Sequence, residues 1–341
     1  MNSDVTVLGT QISLLWVVIG AAMVIFMQAG FALVETGFCR AKHAAHVVST
    51  NFAVFGLGFV AFFFVGFPLA FGGFSYGAMG LDSPVGEALI GSGNWVFAWG
   101  GGWALSGPNI TPALLGFFLY MTAFMDTTAT IPTGSMAERW RWNSFMQWGL
   151  FCGAIYYPLI AAWTWGGGWL SKTWATMSLG AGYVDFAGSG VVHMTGGVAS
   201  IMGASALGPR KGKYDENGKV RAIPGHNIAF AILGCFILLV GWYGFNPGSW
   251  LGADPVVGTI AVNTTLAGAA GAVIAMLVTW LKNGKPDVAM AGNGLLAGLV
   301  GVTAGCWVVN GLGAVIIGAI AGLLVVYSVI FWDRMRIDDP V

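Results

Sequence analysis

The chain has 341 residues, of which 57% are hydrophobic and 8% charged, and its formal net charge is zero. A water-soluble fold of that composition has too little polar surface to cover itself. There is no basic excess to suggest a nucleic-acid partner, so the composition points to a protein of the lipid bilayer.

Nine apolar runs follow in chain order, over roughly 11–36, 47–73, 111–136, 143–168, 185–207, 226–247, 256–281, 287–306 and 311–332. Each is close to the ~20 residues that a helix needs to cross ~30 Å of hydrocarbon. The expected fold is therefore an all-α polytopic membrane protein with about nine transmembrane helices, one domain over 1–341. The first 35 residues carry no basic n-region and no A-x-A-like site, so the first run reads as a retained helix.

Orientation comes from the gaps between runs. Thirteen of the 14 Lys and Arg residues lie in alternate gaps or the tail: Arg40 and Lys42; Arg139 and Arg141; Arg210, Lys211, Lys213, Lys219 and Arg221; Lys282 and Lys285; Arg334 and Arg336. The other gaps hold only Lys172. Basic residues stay in the cytoplasm, which places the N-terminus outside and Val341 inside. This is the pattern of a multi-pass protein of the cell membrane.

Glycine supplies 54 residues, and Gly294/Gly298 and Gly318/Gly322 form G-x-x-x-G pairs. In lipid, small residues let helix backbones approach closely, so these pairs suit a compact bundle such as a transporter or channel. The outer gap at 74–110 is rich in Gly and aromatics (Trp95, Phe97, Trp99, Trp103), with Asp82 and Glu87 as its only charges. It reads as an interfacial segment or a roof over a vestibule. Its Asn109-Ile110-Thr111 is treated as a chance glycosylation match, because Pro112 follows. The inner gap at 208–225 reads as a solvated loop turning at Asn217-Gly218, its basic residues explained by topology.

Four cysteines, Cys39, Cys152, Cys235 and Cys306, share no metal-like spacing and read as small hydrophobes. Nor does the chain carry a Ser/His/Asp set, a phosphate loop or a metal cluster, so neither enzyme, metal site nor cofactor is expected. Ionisable residues inside the runs are few: Glu35, Asp126, Asp185 and His193. Each costs ~2.5–3.5 kcal/mol at the bilayer centre on insertion scales and calls for a partner or a purpose. Glu35, one turn from the inner end of the first run, reads as capping or packing at the interface. Asp126 is either neutral and hydrogen-bonded or set on a polar pathway, and the residues leave both open. Asp185 and His193 are eight residues apart, about 12 Å and 80° along a regular helix. That puts the aspartate at the helix's outer N-terminus, where the dipole favours it, and the imidazole near mid-bilayer.

The segment DFAGSGVVHMTGG resembles the fifth-helix signature of the ammonium transporter (Amt/Mep/Rh) family. GFALVETGFCRAKHAAHVVSTN, SMAERWRWNS, AWTWGGGWL, GWYGFNPGSW and NGLLAGLVGVTAGC resemble further family segments, in family order. The resemblance implies an eleven-helix inverted-repeat bundle, a homotrimer with one narrow apolar pore per protomer, and ammonium/ammonia as cargo in nitrogen uptake. A cytoplasmic nitrogen-regulatory protein is a further partner implied at the inner face. RMRIDDPV resembles the loop before the family's tenth helix, so the last two helices and a second pore histidine are expected beyond this sequence.

Residue by residue, the resemblance implies an ammonium recognition site of Trp165, Ser249, Asp185 and Phe124. Phe124 and Phe245 would be the paired gate below it, and His193, Tyr120 and Thr303 would line the pore. Tyr120 precedes Phe124 by four residues, hence lies on the same helix face. An ammonium ion over an indole gains ~0.5–2 kcal/mol of cation–π attraction. Asp126 departs from the small residue usual in the family at that position. Two functions follow: transport, with deprotonation near the gate and conduction of ammonia past His193, or an ammonium-sensing membrane domain of a signalling protein.

Overall fold

The structure, a computed structural model, describes residues 2–341. Among the described residues the nine apolar runs become nine helices. They are α1 Asn2–Phe38, α2 Ala41–Phe71, α3 Pro112–Ser135, α4 Trp142–Trp163, α5 Ser189–Leu207, α6 Ile228–Trp250, α7 Val256–Asn283, α8 Val288–Thr303 and α9 Gly311–Arg334. Eight are long and apolar enough to cross a membrane, whereas α8, at 16 residues, is short. Several starts are fixed by side chains that accept an otherwise free N–H. Thr111 accepts from Leu114, Asn227 from Phe230, Asp287 from Ala289 and Met290, and Asn310 from Gly313.

At the centre stands α3, most of whose residues are buried. Around it the peripheral helices turn large apolar side chains outward, such as Phe52 on α2 and Leu324 on α9, as lipid-facing surfaces do. The two G-x-x-x-G pairs meet one helix. Gly298 and Gly318 lie against the Ala267 carbonyl, and Gly294 and Gly322 against that of Gly271, so closely that an added Cβ would overlap either oxygen. Helices α8 and α9 therefore converge on the same two carbonyls of α7 by backbone contact. The four cysteines are free and buried.

Three membrane helices contain a π turn, at Phe62–Gly66 in α2, Cys152–Tyr156 in α4 and Ser189–Met194 in α5. The third overturns the expected relation between Asp185 and His193. Asp185 lies before the helix, and the helix opens as a π turn, so the regular rise and rotation do not apply.

On the outer side, the 74–110 segment folds into a hairpin of β1 (Ala88–Ser92) and β2 (Trp95–Trp99), joined through Gly93-Asn94. It is tied to the end of α4: Trp169 N–H donates to Val96 O and Trp163 Nε1 to Phe97 O, both at 2.9 Å. The sequence signalled the aromatics but not the pairing.

On the opposite side, the basic gaps converge. Arg40 donates to Glu138 from its backbone N–H (2.7 Å) and from its guanidinium. Arg210 holds Asp338 through Nε and Nη2 at 2.8 and 2.9 Å, Arg139 lies 3.2 Å from the same carboxylate, and Lys213 pairs with Asp333 at 2.9 Å. Arg210 and Lys213 are thus buried and ion-paired, not solvated as read from the sequence. The loop folds back onto the tail, and only neighbouring carboxylates make that burial tolerable. Burial pushes the Glu138 carboxyl up, but hydrogen bonds from Arg40 and the Arg210 charge outweigh it and hold the group below its ordinary value. Asp338 is lowered in the same way against its burial, by Arg210 and Arg139.

Candidate functional site

Aromatic residues of α3 and α6 meet Trp165, just past the end of α4, on the outer side of the bundle. A cavity of about 110 Å³ is lined there by Phe74, Phe117, Met121, Phe124, Trp165 and Ser249, with Phe71, Phe186 and Leu251. Its floor is a stacked pair: the rings of Phe124 and Phe245 lie 4.1 Å apart at 24°, both fully buried. Trp165 stands edge-on to Phe124, with centroids 5.7 Å apart at 77°. The Ser249 hydroxyl donates to Phe245 O at 2.7 Å, which leaves its oxygen able to accept from a guest in the cavity.

Asp185 does not line this cavity; it fixes its wall. Its Oδ1 accepts from Gly188 and Ser189 N–H at 2.8 and 3.1 Å, and its Oδ2 from Gly190 and Val191 N–H, both at 2.8 Å. All four bonds satisfy donors at the start of α5, as expected of an aspartate at a helix N-terminus. Trp165 Nε1 donates to Asp185 O at 2.6 Å, so the same residue fixes the indole. Gly188 sits at φ +118°, where a side chain would be strained and would press on Trp165 and Val192. Tyr183, packed beside Asp185, has its phenol pushed up to about 12, by burial first and then by the aspartate's charge.

Tyr120 is fully buried behind the stacked pair. Its hydroxyl reaches Gly244 O, Phe245 O and Ser249 Oγ at 2.9, 3.2 and 3.2 Å, so it braces the cavity's wall from behind and does not border the cavity.

Directly beneath lies His193, 8% exposed, its ring 5.1 Å from both Phe245 and Trp242 and nearly parallel to the latter at 13°. Nε2 has no hydrogen-bond partner among the described residues. Trp242 was not singled out from the sequence, although it lies three residues before Phe245 and so shares its helix face. Its Nε1 donates to Thr303 Oγ1 at 2.9 Å, and that hydroxyl donates to Leu299 O at 2.7 Å. Thr303 is therefore a buried orienter of Trp242, with no free face toward the cavity.

Further inward, a cavity of about 570 Å³ opens among α1, α3, α5, α6, α8, α9 and the tail at 337–341, lined mainly by apolar residues with Glu35, Asn293, Lys213, Asp333 and Asp339. Glu35 borders it at 2% exposure, accepting from Asn51 Nδ2 at 2.8 Å and from Thr133. It is enclosed by its partners and does not reach the interface as the sequence suggested. Outer cavity, stacked phenyl pair, imidazole and inner cavity thus follow one another across the bundle. A small cation can be held in the first, but the stacked phenyl pair offers no polar side-chain atom to solvate a charge.

A sequence model of the Ammonium Transporter Family matches residues 15–341. The chain is 44% identical over 333 residues to ammonium transporter Amt2 of Archaeoglobus fulgidus, covering 97% of this chain and 67% of that one. It is 36% identical to Amt1 of Haloferax mediterranei, over 99% of this chain and 65% of the relative. Among solved structures, a sensor Amt protein superposes with a TM-score of 0.87 at 33% identity, covering 98% and 78% of the two chains. Mep2 of Candida albicans follows with 0.81 at 29% identity, covering 97% and 68%. The chain spans about two thirds of the length of the two transporters quoted.

Proposed function

We propose a transport function from one premise: the chain belongs to the ammonium transporter family. The cargo is ammonium, captured at the outer cavity and passed inward as ammonia. The observation that carries this reading is the layering of Trp165, Phe124 and Ser249 over the Phe124/Phe245 stack, with His193 immediately below.

Ammonium matches potassium in charge and nearly in size, so a charge-and-size filter does not separate them. In the outer cavity the indole face attracts the cation by about 0.5–2 kcal/mol. The Ser249 oxygen accepts one of its N–H bonds. The stack beneath offers no polar atom, and a bare cation there is driven to shed a proton. Ammonia then passes on hydrogen bonds to the neutral imidazole, which has both a donor and an acceptor nitrogen. Potassium has no proton to lose and stops at the stack. Trp242, stacked on His193 and anchored by Thr303, holds the ring in the line of passage. The working assembly is a homotrimer with one such line per protomer, and its inner face is the side offered to a cytoplasmic regulatory protein.

The test is ammonium-evoked current across solid-supported membranes carrying the purified protein, with potassium and His193→Ala as controls. A saturable current for ammonium alone, altered by the substitution, is the expected result. Equal currents for potassium, or an unchanged His193→Ala response, would count against the mechanism. A second reading, ammonium sensing, is favoured by the likeness to the sensor Amt protein. Ammonium binding without current or uptake would select it.

A further inference from the structure

The outer hairpin plays no part in the passage of ammonia, and its surface is poorly suited to water. No charged residue occurs from Ala88 to Asn109. All five residues of β1 are exposed, Leu89 and Ile90 by 55% and 56%. On β2 the strand alternation buries Val96 and Ala98 and turns Trp95 and Phe97 outward. Trp169 and Trp163 join that outward face, with the Trp95 and Trp169 rings stacked at 7°. The far edge of β2 is covered, because Val96 O and Phe97 O accept from Trp169 and Trp163. The far edge of β1 has no strand beside it among the described residues, and β1 holds none of the Lys, Pro or charge that guards an open edge in water.

Helix α4 sets the depth of the hairpin. It has 22 residues, about 33 Å at 1.5 Å per residue, close to the ~30 Å of hydrocarbon. Trp142 opens the helix and Trp163 closes it, so the two indoles stand at the two interfaces, where tryptophan concentrates. Ile155, Leu159 and Trp163 recur at four-residue steps on one side of α4, and Ile155 there is exposed as lipid-facing residues are. The Phe97 carbonyl is bonded to Trp163 itself, so the hairpin lies level with the outer interface and continues that side. Two constraints then bound its position. An open strand edge does not occur in hydrocarbon, where its N–H and C=O groups go unsatisfied. Leu89, Ile90, Trp95 and Phe97, for their part, gain by leaving water. Only the boundary between headgroups and acyl chains meets both demands.

We propose that the hairpin, with Trp163 and Trp169, docks on phospholipid of the outer leaflet and lies in its headgroup–acyl boundary. Phosphate and ester oxygens and interfacial water take up the N–H groups on the open edge of β1, and water takes up its carbonyls. The apolar side chains rest on the first carbons of the acyl chains. A protein partner fits less well, because the aromatic face is flush with a lipid-facing helix side and offers no charge to a docking rim. Trp169 holds the hairpin through Val96 O, and Trp165 lies four residues before it. The lipid contact thus also steadies the far end of the loop that carries Trp165.

The experiment places a nitroxide on Ile90→Cys in the full-length protein, in vesicles of dioleoylphosphatidylcholine, and measures its collisions with oxygen and with a water-soluble nickel chelate. The four native thiols are buried and leave the introduced one as the labelled site. Asp82→Cys, exposed in the same outer segment, marks the water side, and Phe52→Cys, 76% exposed on α2, marks the hydrocarbon. The label at position 90 should lie between the two, about 5–10 Å into the boundary. Nickel access equal to that of the Asp82 label overturns the proposal, since the hairpin then stands in water. A label as deep as that at Phe52, or one closed to both reagents because protein covers it, overturns it as well. Should Ile90→Cys not fold, Leu89→Cys is read on the same scale. In the otherwise native protein, Trp95→Phe should remove fluorescence that phospholipids brominated near the ester end of the chain quench; loss of an iodide-quenched component instead overturns the proposal. None of these readings depends on transport, so the hairpin and the transport reading fail separately.

Discussion

Replacing Asp185 tests whether the outer cavity depends on a capped helix start. Its carboxylate holds four N–H groups at 2.8–3.1 Å, and its own backbone oxygen holds the Trp165 indole. In Asp185→Ala all four donors lose their acceptor. Ser189 and Gly190 are part-exposed and can turn to water, but Gly188 and Val191 are buried. A buried unsatisfied N–H costs about 1–3 kcal/mol, so the two together cost about 2–6 kcal/mol. Asp185→Asn keeps one oxygen, and with it two bonds, so it loses about half as much. Thermal unfolding of the detergent-solubilised protein, followed by tryptophan fluorescence, should therefore rank wild type above Asp185→Asn and Asp185→Asn above Asp185→Ala. The half-saturating ammonium concentration should rise in the same order, because the backbone oxygen that holds Trp165 sits in the segment that loses its support. An alanine variant as stable as wild type, or an asparagine variant no better than alanine, would refute the capping argument.

Trp165→Leu removes the cation–π attraction of about 0.5–2 kcal/mol and should raise the half-saturating ammonium concentration about 2- to 30-fold, with Trp165→Phe in between, in current titrations. At the inner face, Arg210→Met takes from the enclosed Asp338 its two shortest side-chain bonds and leaves it Arg139, and should cost about 1.5–3 kcal/mol in denaturation experiments. Glu138 and Asp338 have folded values below their ordinary 4.5 and 3.8. Their contribution to stability is therefore complete above about pH 4.5 and is lost as pH falls through the lowered values; thermal midpoints between pH 7 and 3 should decline accordingly. Gly318→Val drives a side chain into the Ala267 carbonyl and should destabilise by at least about 1–3 kcal/mol, whereas Gly305→Ala, with only Val309 near, should be silent in the same melt.

The helices were legible because lipid imposes a length and the positive-inside bias an alternation, and both act on composition without regard to detail. The site was legible through its motifs: Trp165, Phe124 and Ser249 meet around one cavity, and Phe124 and Phe245 stack beneath it. What escaped was set by tertiary neighbours. Tyr120 shares a helix face with Phe124 and Thr303 ends α8 within a family segment, yet both turn their hydroxyls to backbone and neighbouring side chains, and periodicity carries no information about that choice. Trp242 looked like packing until His193 lay against it. Arg210 and Lys213 read as surface charges because their carboxylate partners sit 72 or more residues away in sequence. The hairpin at 88–99 escaped because a gap between membrane helices carries no period to read.

The π turn at Ser189–Met194 gives the chain an unusual tolerance to change in length. A π turn is an α-helix with one residue extra. Losing one residue within it would leave an unbroken helix and an intact membrane span, and most of the protein would fold as before. The helix beyond the loss would stay near its register, but His193, which sits inside the wide turn, would be re-aimed relative to the Asp185 cap. His193 would swing off Trp242 and away from the gate. A single-codon deletion there would therefore part the imidazole from the stacked pair while preserving the fold. Aligned relatives should accordingly vary in loop length freely but keep the residue count from Asp185 to His193 constant.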